Sequence, residues 1–272
     1  MILIVASKKD TAAINIAHQL LAHHSFDKSS KGFQGEPVYF KKTWNDEAVN
    51  LVFIEEEAVN AQFITDAFTP RLLIFLSRHH SERGIPTLSV HTPGNLVGAD
   101  LGGLPRKISI SPASAMKEAL KAMKIFREEM DLDYEVSYEC THHGPSLDAP
   151  AMFVELGSSP AQWNDMKAAK VVADAAMVAA SNEKSYPTAL GIGGPHYNRK
   201  FTRMALENDI AFGHIIPKYA ISKIDIEMMR QCIDKTVEHV EKIVLDWKGI
   251  KGEDKYRLIN TLNKIHLPIE KI

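Results

Sequence analysis

The chain has 272 residues, 45% of them hydrophobic and 24% charged, with a formal net charge of -2, a balance that suits a globular α/β chain with a sizeable core and offers no overall basic footprint for nucleic acid. No run approaches the ~18 apolar residues of a membrane span, and the opening strand-like residues lack the basic, cleavable pattern of a secretory leader. The two cysteines, Cys140 and Cys232, are too few for a disulfide framework or a zinc ribbon, so a cytoplasmic protein without a membrane partner is expected.

Residues 1–7 form an apolar run predicted as a buried strand, and Asp10 stands where an N-cap opens a helix through Ile14, Ile16, Ala17, Leu20 and Leu21. The polar stretch 26–37 is predicted as a connection leading to strands at 38–42 and 51–54. A short helix at 63–69 precedes a strand at 72–76, and residues 93–105, with four glycines and two prolines, form a loop. Ser111 and Pro112 supply a serine cap and first-turn proline for a helix to about Met130, and Ser159 and Pro160 repeat that signature before an alanine-rich helix to about Ala180. Strands are predicted between them at 134–139 and 152–156. Residues 198–208 read as a helix and 212–216 as a strand. Residues 224–244 read as one long helix burying Met228, Cys232, Val237, Val240 and Val244. The stretch 251–255 reads as a solvated turn. The alternation predicts an α/β fold, a mainly parallel or mixed central sheet flanked by helices, as a single domain over 1–272.

Seven of the twelve histidines fall at or just beyond strand ends: His79, His80, His91, His142, His143, His196 and His214. In open α/β sheets, functional groups gather outside the carboxyl ends of parallel strands, so these side chains are expected to converge. The other five, His18, His23, His24, His239 and His266, lie on helices or in the tail and receive no site role. Two motifs are dense: Glu139-Cys-Thr-His-His-Gly-Pro145 and Gly191-Ile-Gly-Gly-Pro-His-Tyr197. Neutral imidazole is the commonest protein ligand for zinc, and a catalytic zinc uses about three protein ligands. His142, His143 and His196 lead the candidates, with His91 beside them. Neighbours on an extended strand point to opposite faces, so only one of His142 and His143 is expected to reach a metal unless the chain turns there.

Glu155 ends an apolar strand and, with Glu139, is a candidate general base or orienting carboxylate. Glu139 alternates with Tyr138 and is expected toward solvent, while Asp148 is explained by a turn. The 191–195 run lacks the nucleotide-binding glycine pattern. It presents backbone amides at Gly193 and Gly194, either as an oxyanion hole or simply as a tight turn. Ser77, Ser158 and Cys140 lack a nucleophile context. Arg199, Lys200 and Arg203 follow His196 and serve either phosphate neutralisation or a solvated helix face.

Taken together, Thr141-His-His-Gly-Pro145, Pro150-Ala-Met-Phe-Val-Glu-Leu-Gly-Ser158 with Trp163, and Gly191 to Tyr197 with Phe201 and Thr202 resemble the archaeal and plant type of D-aminoacyl-tRNA deacylase. The resemblance spans about 74–217, and departs from the family where Asn198-Arg-Lys200 stands in place of a proline shortly after the His-Tyr pair. It implies a fold akin to phosphorylases and peptidyl-tRNA hydrolases. It also implies a zinc-dependent ester hydrolase that acts on the acceptor end of D-aminoacyl-tRNA. On that reading His142, His143, His196 and His91 hold zinc, and Glu155 or Glu139 moves a proton. Gly193 and Gly194 stabilise the oxyanion, His79, His80 and His214 surround the substrate, and Arg199, Lys200 and Arg203 meet phosphates. A monomer is favoured. The alternatives are a phosphorylase-like nucleoside-processing enzyme and a non-catalytic tRNA- or metal-binding protein.

Overall fold

The computed structural model describes residues 1–43 and 46–272. In chain order the regular elements are β1 (Ile2–Ser7), α1 (Thr11–His23), β2 (Asp27–Phe33), β3 (Glu36–Lys42), β4 (Ala48–Ile54), α2 (Ile64–Ala67), β5 (Leu72–His80), β6 (Thr87–His91), α3 (Ala113–Glu129), β7 (Glu135–Tyr138), β8 (Ala151–Ser158), α4 (Pro160–Trp163) and α5 (Met166–Ala180). They continue with β9 (Thr188–Ile192), α6 (Arg199–Glu207), β10 (Ala211–Ile216), α7 (Ile226–Asp234), β11 (Val240–Leu245), α8 (Gly252–Leu262) and β12 (Ile269–Lys271). Eight strands form a mixed sheet in the order β2-β3-β4-β1-β5-β8-β6-β7, and four form a second sheet, β10-β9-β11-β12. The fold is the expected α/β class. No helix among the described residues is long and apolar enough to cross a membrane.

The stretches Ile2–Ala6 of β1, Leu72–Leu76 of β5 and Ala151–Val154 of β8 are apolar because both faces are covered there. On β1, Ile2, Ile4 and Ala6 enter the core beneath α1, α3 and α5. Leu3 and Val5 pack on the other face with Phe75, Phe153 and Ile64. Strands β4, β1, β5 and β8 run parallel. Strand β6 is antiparallel to β8, pairing Ser89 with Glu155 and His91 with Phe153. That reversal matters: His91 reaches the site from the direction opposite to His79, so the histidines meet over one sheet face instead of outside a common strand end.

Several expected elements differ. Residues 27–33 pair antiparallel with β3 as an edge strand, although their polarity resembles a loop. The Ser159 cap serves the short α4, and Asp165 caps α5 by accepting from Lys167 N and Ala168 N. Ser111 does not cap α3; Glu238 accepts from Ala113 N and Ser114 N at 3.0 and 2.8 Å. The long C-terminal helix stops at Asp234, and Val240–Leu245 is the β11 strand; Val237, expected inside, is 56% exposed. The expected turn at 251–255 is largely the first turns of α8, where Asp254 is buried.

Candidate active site

His142 and His143 follow β7 in a turn, not an extended strand: His143 has φ +41°. The turn places both rings on one side, with centroids 4.2 Å apart, and overturns the expectation that they diverge. Gly144 permits it, because a Cβ there would lie 2.3 Å from both Gly103 N and Val59 O. His91 lies 4.2 Å from the His142 ring and 4.8 Å from that of His143, stacked on Phe153. His196 lies 4.4 Å from His142.

Hydrogen bonds define which nitrogens are free. His142 Nδ1 meets the Cys140 carbonyl at 2.8 Å and His143 Nδ1 the Gly144 carbonyl at 2.7 Å. A carbonyl only accepts, so both Nδ1 atoms carry hydrogen and both Nε2 atoms keep lone pairs. Burial and the neighbouring histidines push both rings below the usual imidazole range, His143 to about 4. Both ring nitrogens of buried His91 have no hydrogen-bond partner; Glu155 Oε1 is 3.7 Å from Nε2, beyond bonding distance. Ligand atoms of His91, His142 and His143 lie within 4.8 Å of one another, as do those of Cys140, His142 and His196 and those of His79, Glu139 and Glu155. Each group can hold a metal ion. The first fits best, since unpartnered buried imidazole nitrogens are what a cation would satisfy.

Glu139, expected to face solvent, is 2% exposed. Its Oε2 accepts from His196 Nε2 at 2.8 Å, and its Oε1 lies 3.2 Å from His79 Nδ1 without a hydrogen bond. Burial opposes ionisation of Glu139, but His79 and His196 outweigh it and hold the carboxyl well below its usual range. Glu155 is also held down, against burial and the Glu139 charge, by contacts with His79 and His91. Reciprocally, burial disfavours protonated His79 and His196. The carboxylates, with Cys140 beside His196, nevertheless raise them to about 10 and about 11. Two carboxylates and two imidazoliums thus sit beside neutral imidazoles.

His79, Glu139, His142, His143, Glu155 and His196 line a cleft of about 610 Å³ together with Asp10, Arg78, His80 and Tyr197, while His91 and Cys140 lie buried behind its wall. Other expected site residues lie elsewhere. His214 is fully buried, with Nε2 donating to Lys235 O and Nδ1 facing the Thr141 hydroxyl, both at 3.0 Å, so it braces the core and lines no wall of the cleft. Gly193 N is committed to Ile216 O at 2.8 Å, and Gly193 and Gly194 have φ of +107° and +75°, so this run is a turn and not an oxyanion hole in the cleft. Arg199 pairs with Glu135 and Lys200 with Asp246. With Arg203 they border neighbouring cavities.

Asp10 caps α1 as expected, but sequence reasoning missed that it lines the cleft and accepts from Arg78 N at 2.7 Å, fixing the β5 end. It also missed Tyr197, whose hydroxyl contacts His79 Nε2, and Tyr219, 3.2 Å from His196 Nδ1. Tyr197 adjoins His196 in its motif and was findable there; Tyr219 has no local signal.

The family described as D-aminoacyl-tRNA deacylase matches residues 67–270. A protein of that name from Pyrococcus furiosus is 36% identical, covering 100% of both chains. One from Pyrococcus abyssi is 38% identical over 94% of each, and one from Methanosarcina acetivorans 33% identical over 99% of this chain and 92% of its own. A crystal structure of a conserved protein of unknown function superposes with a TM-score of 0.87 at 28% identity, covering 100% of this chain and 95% of that one.

Proposed function

Because the chain belongs to the D-aminoacyl-tRNA deacylase family, we propose that it hydrolyses the ester joining a D-amino acid to the terminal ribose of tRNA, in the cytoplasm and with zinc. The observation that carries the reading is the pair of unpartnered nitrogens of buried His91 beside the free Nε2 atoms of His142 and His143. His91, His142 and His143 would hold the zinc. When bound, zinc supplies Lewis acidity and brings the pKa of water from ~15.7 towards ~7.

The rest of the chemistry belongs to the chain. Glu139 Oε1, buried and without a hydrogen bond, is the base that takes the proton of the attacking water, while Oε2 stays on His196. His79 stands between Glu139 and Glu155, 3.2 and 3.6 Å away, keeps both ionised, and is held in place by the Tyr197 hydroxyl at its Nε2. His196 orients Glu139 in this scheme. Arg78 and His80 at the mouth receive the terminal nucleotide. Arg199, Lys200 and Arg203, reached past Tyr197, meet phosphates farther along the acceptor end.

Chelation tests the zinc reading. Metal-free protein is expected to lose D-aminoacyl-tRNA hydrolysis and to regain it on zinc addition, followed by release of free amino acid. Full activity after metal content has fallen to zero would end the zinc mechanism.

A further inference from the structure

Four carboxylates line the main cleft, those of Asp10, Glu57, Glu139 and Glu155, and its cationic side chains are already turned toward them: Arg78 pairs with Glu57, and His79 and His196 lie against Glu139. A phosphodiester leading to a nucleotide at the mouth would meet like charge there. A second cavity, of about 370 Å³, adjoins the cleft, with Tyr197 in the wall of both. Its charge balance is different. Three cationic side chains line it, Arg83, Arg199 and Lys200, against two carboxylates, Glu135 and Asp246. Arg199 answers Glu135 and Lys200 answers Asp246. Among the described residues the Arg83 guanidinium has neither an ion pair nor a hydrogen bond, so it is the surplus positive charge of this cavity.

The backbone fixes where that charge stands. Residues 81–84 turn between β5 and β6, with Gly84 N donating to Ser81 O at 3.0 Å. Ser81 N donates to Ser158 O at 3.2 Å, and the Ser158 hydroxyl reaches back to the Ile85 carbonyl. Both ends of the turn are thereby tied to β8, the strand that also carries Glu155. The Arg83 side chain is exposed and can meet a ligand without first leaving a partner.

We propose that this cavity holds the phosphodiester immediately before the terminal nucleotide of the acceptor strand, with Arg83 as its anchor. The proposal rests on the ester-hydrolysis reading above and names how that site holds its RNA. The guanidinium fork matches phosphate oxygens with parallel N–H donors. Tyr197 marks the passage from the cleft into the cavity. Lys200 lines both this cavity and the next, which contains Arg203, so the path continues toward the cations assigned to later phosphates. The exposed Arg199–Glu135 pair contributes little at the surface and can open as the strand enters.

The experiment compares kcat/KM on D-tyrosyl-tRNA with that on the D-tyrosyl ester of adenosine, which carries no phosphate, over a salt series. The proteins are the wild type, Arg83→Ala, Arg83→Lys and Ile85→Glu, with circular dichroism to verify folding. Ile85 lines the same cavity and is 38% exposed, so its replacement adds negative charge there without emptying a core position. The wild type is expected to prefer the tRNA ester, and salt to shrink the preference. Arg83→Ala is expected to cut the tRNA-to-adenosine ratio by about tenfold and to flatten the logarithmic salt slope by about 0.7, the share of one phosphate contact on a single strand. Arg83→Lys keeps the charge and is expected to recover most of the slope, while Ile85→Glu cuts the ratio at least as far as Arg83→Ala. Unchanged ratio and slope in both Arg83→Ala and Ile85→Glu, with tRNA still hydrolysed, would overturn the phosphate subsite alone. So would an equal loss on the two esters, which would make Arg83 a support of the fold or of the chemistry. Absence of hydrolysis of either ester by the wild type would overturn the ester reading, and the subsite with it.

Discussion

His142 and His143 each use Nδ1–H on a backbone carbonyl, at 2.8 and 2.7 Å, so backbone geometry selects the tautomer that leaves Nε2 free. The residue types were legible in the sequence, because glycine stands in both histidine motifs and Glu139 opens the first. Their joint presentation was not, since it depends on a positive φ at His143, a non-glycine residue with no distinguishing local pattern. Glu139 was misjudged for a related reason: strand alternation ends at Tyr138, and the residue beyond it turns inward. Glu139→Gln keeps the shape of this side chain but removes the base. It is expected to lower kcat by about 10²–10⁴-fold with the far-ultraviolet spectrum intact; a kcat near wild type would exclude Glu139 as the base. His214 makes a different prediction. Burial lowers its pKa from 6.5 to about 4, so between those values the unfolded chain binds the proton more readily. Its contribution to stability is intact above pH 6.5, falls as pH drops, and levels off below 4, with a span of at most about 3 kcal/mol. Thermal unfolding of His214→Gln should show a shallower decline over that window than wild type, and parallel curves would contradict the burial argument.

At the scale of elements, apolar runs and caps marked many of the central strands and helices, since β1, β5 and β8 are covered on both faces. The failures occurred where a partner distant in sequence decides the outcome. Residues 27–33 are polar but gain strand structure by pairing along β3. Residues 240–245 share the helical spacing that runs through α7, yet β9 and β12 pair with them on both sides. The α3 cap is another case, because Glu238 comes from beyond α7 to accept from two first-turn amides. Losing such a cap typically costs about 0.5–2 kcal/mol. Glu238→Ala is expected to reduce unfolding free energy by about that amount in denaturant titration, with little change in turnover; no change in stability would mean that water caps the helix equally well.

Across the whole molecule, the site depends on a mixed sheet and on contact between two sheets. Antiparallel β6 delivers His91 against β8, the chain after β7 supplies Glu139, His142 and His143, and the connection after β9 in the second sheet brings His196 and Tyr197 onto the Glu139 side, where Glu139 and Tyr197 form an isolated bridge. The convergence of histidines was anticipated from sequence, but strand direction and the division into two sheets were not, because both are set by long-range pairing. The proposed activity is cleavage of D-aminoacyl esters at this junction. Its most direct test is a paired assay of D- and L-tyrosyl-tRNA hydrolysis with wild type and His142→Ala. The predicted result is rapid release of D-tyrosine, sparing of the L-ester, and loss of most D-specific turnover in a folded His142→Ala protein. Equal hydrolysis of both stereoisomers, or wild-type turnover in the variant, would contradict it.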